Sequence, residues 1–93
     1  MVKTYPYDSA ELLDTAEAVR YYLEAACEED DPASITHALG VVARSKGMTE
    51  IAKKTGLTRE SLYKALSAEG NPEFATVLKV LAALDLKFSV KAA

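Results

Sequence analysis

The stretch MTEIAKKTGLTRESLYKAL, residues 48–66, constrains the fold more than any other, because its apolar positions fit two short helices meeting at Gly56. Ile51, Ala52 and Thr55 recur on one face of the first helix, and Ala52 is small enough to let a crossing helix approach closely. A glycine at position 56 takes the left-handed conformation that a sharp chain reversal needs, and Leu57 can then drop between the two helices. Thr58 is placed to cap a second helix. Its inward side would be Leu62, Ala65 and Leu66, and its outward side Arg59, Glu60, Ser61, Tyr63, Lys64 and Ser67. The pattern predicts a helix-turn-helix whose second helix presents a polar reading face. A helical hairpin in an ordinary bundle is the competing reading.

The flanking sequence predicts three further helices. Tyr5-Pro6-Tyr7 reads as extended, since proline disfavours helix at the residue before it. Asp8, with Glu11 three residues on, forms a capping box, and Leu12, Leu13, Ala16, Val19, Leu23 and Ala26 recur at helical spacing up to Cys27. Asp31-Pro32 then caps and opens a helix carrying Ile35, Ala38, Leu39, Val42 and Ala43, which stops at Gly47. Gly40 weakens that helix and so marks a close crossing. Thr49 is the expected cap of the next helix. Asn71-Pro72-Glu73 repeats the cap-proline-acid signature and opens a helix through Phe74, Val77, Leu78, Leu81 and Leu84, the strongest core stripe in the sequence. Residues 86–91 alternate apolar and polar and read as a strand that must pair with another chain, a second copy or a partner. The fold class expected is all-α, about five helices with a short C-terminal β-strand.

Ninety-three residues make one domain, 1–93, burying roughly 60–65% of its unfolded surface, a fraction low enough that dimerisation would help. The net charge of −3 conceals a division. Residues 1–43 hold two basic and nine acidic groups, a balance of −7, whereas residues 44–93 hold nine basic and five acidic ones, a balance of +4. A basic half is suited to phosphates; the acidic half reads as a helical extension that is not. The sequence has no apolar run near the roughly 20 residues that a membrane span needs and no signal-peptide core, so a cytoplasmic protein is expected. Cys27 and His37 are each the sole residue of their type, which leaves no zinc-type ligand set and no cofactor. Cys27 reads as a small core residue or partly covered thiol, and His37 as a solvated or rim histidine. No nucleophile elbow, glycine-rich phosphate loop or paired-carboxylate motif is present, so an enzyme is not expected.

With residues 44–90 taken as the helix-turn-helix core, the docking geometry of the motif assigns roles. Arg59, Ser61, Tyr63 and Lys64 would approach bases or adjacent phosphates, while Thr49, Lys53, Thr58 and Asn71 position the DNA backbone. Glu60 is discordant in a groove lined by phosphates. It would either accept from a cytosine amine or hold Arg59 in place.

The run from position 44 to 90, most specifically GLTRESLYKAL and EGNPEFATVLKVL, resembles the helix-turn-helix antidote proteins of addiction modules, relatives of the HigA-type antitoxins. The acidic opening YPYDSAELLDTAEAVRYYLEAACEEDDPASITHALGVVAR is similar to the same family, so the resemblance spans nearly the whole chain. It implies a lambda-repressor-like DNA-binding domain, with the loop 67–72 where phage-repressor-type domains touch the DNA backbone. It also implies neutralisation of a RelE-superfamily toxin and repression of the operon encoding the pair; with the basic half and the unpaired terminal strand, the partners expected are double-stranded DNA with a palindromic operator, that toxin, and a second copy of the chain as a homodimer. The alternative is a helical protein-interaction module, or a general transcriptional regulator, with no toxin partner.

Overall fold

The computed structural model describes residues 15–67 and 69–93, and among them five α-helices and no strand. They are α1 (Ala16–Cys27), α2 (Pro32–Lys46), α3 (Met48–Thr55), α4 (Arg59–Ala65) and α5 (Phe74–Ala83). α1 packs along α2, α3 packs on α2, α4 and α5, and so the two middle helices tie the others together. None is long and apolar enough to cross a membrane.

The central element is α2, in which positions 38–43 are buried without a break. Its two sides feed two apolar clusters. Leu39 and Ala43 join Met48, Ile51 and Ala52 of α3, Leu62 of α4, Leu66 and Val80 of α5. Val41 and Val42 join Val19 of α1, with Tyr22, Leu84 and Leu86 packed alongside. Gly40 belongs to this closed surface. A Cβ there would lie 2.9 Å from the carbonyl oxygen of Leu66, so the end of α4 rests directly on the α2 backbone, the close crossing expected of this glycine. Gly40→Ala would gain about 1 kcal/mol of helix propensity. Overpacking against a backbone carbonyl that cannot swing away costs about 1–3 kcal/mol. The variant is therefore expected to lose stability in urea denaturation; a midpoint at or above the unmodified protein's would contradict the tight crossing.

The helix ends follow local chemistry, with corrections. Asp31 accepts a hydrogen bond from the Ser34 backbone N–H at 3.2 Å with Pro32 at the first helical position, as expected. The start of α1 differs: Thr15, extended at φ −127°, accepts from the Ala18 N–H at 3.0 Å, so this helix begins at Ala16. The expected extended segment at Tyr5-Pro6-Tyr7, the capping box of Asp8 and Glu11, and Leu12 and Leu13 lie outside the described residues. Thr49 does not cap α3. A single residue, Gly47 at φ 103°, joins α2 to α3, so helix resumes at Met48 and Thr49 already lies in its first turn. Asn71 likewise does not cap α5; the chain is still extended at Glu73 (ψ 152°), and the helix begins at Phe74.

The apolar stripe of α5 is not all core. Val80 is buried, but Phe74 is 59% and Leu78 40% exposed. α5 lies at the edge of the molecule and has only α3 as an extensive neighbour, so one flank of a broad stripe stays uncovered. The predicted strand at 86–91 does not form within this chain. After Asp85, at φ 63°, the segment is held by side chains: Leu86 against the second cluster, Phe88 edge-on to Phe74 with centroids 5.4 Å apart, and Lys91 paired to Glu28 at 3.1 Å. The hydrogen bond and charge of Glu28 hold the Lys91 ammonium above its usual pKa. A lone strand has no ladder to join, which is why packing takes over. Cys27, expected to be at least partly covered, is exposed.

Candidate nucleic-acid interface

The turn between α3 and α4 is built from three consecutive residues with separate tasks. Thr55 is buried; its hydroxyl donates to the Ala52 carbonyl at 3.1 Å and accepts from the Leu57 N–H at 3.3 Å. Gly56 follows in the left-handed conformation, φ 78°, with its own N–H on the Ala52 carbonyl at 2.9 Å. Leu57 is half-buried against the main core. Thr58 then turns the chain back into helix, its Oγ1 accepting from the Ser61 N–H at 3.0 Å. The turn therefore spends its polar groups on itself and fixes the angle at which α4 leaves.

α4 is anchored by Leu62, with Leu66 beyond its end, 0% and 3% exposed. Arg59, Glu60, Ser61, Tyr63 and Lys64 are all exposed, as expected of an outward face. Arg59 and Tyr63 form a unit one helical turn apart. The guanidinium lies over the ring, 5.3 Å from its centroid, and Nη2 donates to the Tyr63 hydroxyl at 3.4 Å. Such stacking restrains the arginine while leaving its remaining N–H donors directed outward. Glu60 does not hold Arg59: among the described residues Arg59 has no carboxylate partner, and Tyr63 does the holding.

On α3, Thr49 and Lys53 are exposed and four residues apart, hence on one stripe, while Ile51 and Ala52 face inward. α3 and α4 pack on each other, so both outward stripes belong to one rigid hairpin. Asn71 is exposed just beyond the turn that closes α4, where Ser67 Oγ donates to the Lys64 carbonyl at 2.9 Å and the Gly70 N–H to the Ser67 carbonyl at 2.9 Å. All nine expected site residues are thus at the surface of the hairpin or its adjoining loop. Among the described residues no group of acids, histidines or cysteines could hold a metal ion.

A feature that sequence periodicity did not reveal lies elsewhere, in an open groove between α1 and α2 with a volume of about 470 Å³. Tyr22 and His37 are among the residues that line it, and His37 is exposed, as expected of a solvated histidine. Its legible signal was the alanine content of the facing turns, Ala25, Ala26, Ala33 and Ala38.

The family model of probable addiction module antidote proteins matches residues 3–92. The chain belongs to this family. An uncharacterized protein of Haemophilus influenzae (strain ATCC 51907 / DSM 11121 / KW20 / Rd) is similar to it, 48% identical over 85 residues that make up 91% of this chain and 88% of the relative. No solved structure matches it. An antidote acts on a toxin, so membership of the addiction-module family implies a toxin as partner.

Proposed function

We propose that this antidote is the DNA-binding antitoxin of a type II toxin-antitoxin module: it neutralises a RelE-superfamily toxin, represses its own operon, and has no enzymatic activity. The observation that carries the DNA-binding half is the α3–α4 hairpin, a fixed turn anchored by buried Ile51, Ala52, Leu62 and Leu66, with an outer face of Arg59, Ser61, Tyr63 and Lys64. As a lambda-repressor-like helix-turn-helix, the N-terminal part of α4 enters the major groove of double-stranded DNA, and α3 with Thr49 and Lys53 lies over the backbone. Glu60, not engaged with Arg59, accepts from a cytosine amine. The antidote works in the cytoplasm, where operator and toxin are found.

Dimerisation on a palindromic operator is supported by the exposed flank of Phe74, Leu78, Phe88 and Val90, an apolar patch that a second copy would cover. A monomer in sedimentation at high micromolar concentration would contradict it. The acidic half supports the toxin-binding part of the reading, because toxins of this class act on RNA and carry basic surfaces that a −7 segment complements.

The test is the salt dependence of binding to a fragment of its own promoter. Three cations on each of two protomers, Lys53, Arg59 and Lys64, would release about six counterions, giving a slope of log K against log salt near about −5. A slope near zero would instead favour the second reading, an interaction module that keeps the fold without reading DNA.

A further inference from the structure

The groove between α1 and α2 is lined by small apolar side chains, an aromatic ring and a carboxylate. Ala25, Ala26, Ala33 and Ala38 supply the first, Tyr22 the ring and Glu29 the acid. The acids around it are not equivalent. Glu24 is paired with Arg20 at 3.2 Å and Glu28 with Lys91 at 3.1 Å, but Glu29 has only a neutral partner among the described residues, the Ser34 hydroxyl at 2.9 Å. Asp31, beside it, is committed to capping α2. From position 15 to 31 there are six acids, Glu17, Glu24, Glu28, Glu29, Asp30 and Asp31, against one base, Arg20. A cation entering here meets a favourable field and, at Glu29, a carboxylate that has no cation partner among the described residues.

We propose that the α1–α2 groove receives an arginine side chain from a basic segment of the toxin. An arginine fits each part of the groove. Its aliphatic stem lies along the alanine lining, its planar head can stack on Tyr22, and the guanidinium donates to Glu29. Four alanines where helices face one another leave the room that a long, thin side chain needs, whereas larger residues would have closed the contact. The groove is carried by α1 and α2 and the reading face by α4, so toxin and DNA would be held by different helices. This proposal rests on the reading that the chain pairs with a toxin, and deepens it by naming the anchor.

The experiment uses the full chain and the protein encoded by the adjacent reading frame, with binding followed by surface-immobilised kinetics. Ala25→Phe fills the groove from an exposed position, and Glu29→Gln removes the one carboxylate charge that lines it. Glu17→Gln, an exposed acid of the same acidic segment that does not line the groove, is the comparison: it removes an equal charge from the long-range field without touching the groove. Ala25→Phe is expected to weaken toxin binding at least tenfold, and Glu29→Gln about tenfold with a shallower salt dependence. Glu17→Gln should stay within twofold, and promoter binding should be unchanged in all three. Should Ala25→Phe misfold by circular dichroism, Glu29→Gln against Glu17→Gln decides alone. Binding within twofold for both groove variants, or equal losses for Glu29→Gln and Glu17→Gln, overturns the proposal. A change in the sedimentation of the Ala25→Phe chain by itself would show the groove to hold a second copy and overturn it too. If the unmodified chain does not bind the neighbouring protein while it still binds its promoter, the toxin reading itself falls, a result distinct from loss in the variants.

Discussion

Leu62→Ala is expected to destabilise the protein by about 2–5 kcal/mol, the range for a large aliphatic side chain deleted from a closed core. Leu62 is 0% exposed and sits among Leu39, Ile51, Leu66 and Val80, contributed by three other parts of the chain. Those neighbours are themselves pinned by the Gly40 crossing and by the direct α2–α3 joint, so the site has little freedom to collapse around a void. α4 feels the loss most. A seven-residue helix is far below the length that is stable in water and is held by its packing and its Thr58 cap. For a domain of this size each kcal/mol corresponds to roughly 4–8 °C, so a fall in melting temperature of about 10 °C or more should accompany the change. Leu78→Ala, on the 40% exposed flank of α5, should lose far less. Thermal and urea unfolding of the two variants make the comparison. A loss below about 1 kcal/mol at Leu62 would mean that α4 is not anchored through this residue.

Why Leu62 was legible in the sequence, and Phe74 was not, is a matter of what periodicity measures. In the 48–66 stretch the apolar positions are sparse, so those that recur at helical spacing, Ile51, Ala52, Leu62 and Leu66, can have no other place than the core. Gly56 and Thr58 add chemistry that admits few conformations, and the turn formed as those residues dictate. α5 is different. Its stripe of Phe74, Val77, Leu78, Leu81 and Leu84 is wider than one neighbouring helix can cover, and periodicity reports a face without saying whether this chain or another covers it. The same limit applies to residues 86–91, where alternation signals a two-sided extended segment but a strand exists only when a second strand is present.

Helix starts depart from the capping residues for a related reason. Asp31 capped because a proline followed immediately and the preceding turn left the chain extended there. Thr49 and Asn71 carry equally good capping groups, yet the backbone decides whether a cap is needed. Gly47 brings α2 straight into α3, and the chain beyond Gly70 enters helix only at Phe74, with Glu73 still extended. The outward residues of α4 could be placed on one face from spacing alone. That Arg59 is held by Tyr63 rather than by Glu60 depends on rotamers, which spacing leaves open. Cys27 fell on the open side of α1 because the rotation of an amphipathic helix is set by its neighbours, and α1 turns Val19 inward toward α2.

Arg59→Ala should weaken binding to the antidote's own operator by about 1–3 kcal/mol and relax its sequence preference, while Lys53→Ala should weaken binding to all DNA alike. The division follows from position. Arg59 begins α4, where a helix docked end-on brings side chains to base edges, and its stacking on Tyr63 presents a planar, multi-donor head of the kind that reads guanine. Lys53 projects from the exposed stripe of α3, which would cross the DNA backbone in the docking proposed and there offer a flexible point charge. Removing that charge should reduce the salt slope by about one per protomer without changing the ratio of specific to random affinity. Tyr63→Phe separates holding from reading, since it keeps the ring under the guanidinium and removes the 3.4 Å hydroxyl contact; it should fall between the unmodified protein and Arg59→Ala. The measurements are titrations of each variant against the promoter fragment and a random duplex at several salt concentrations. If Arg59→Ala and Lys53→Ala lose affinity equally on both duplexes, α4 contributes charge only and the reading face assigned to it is wrong.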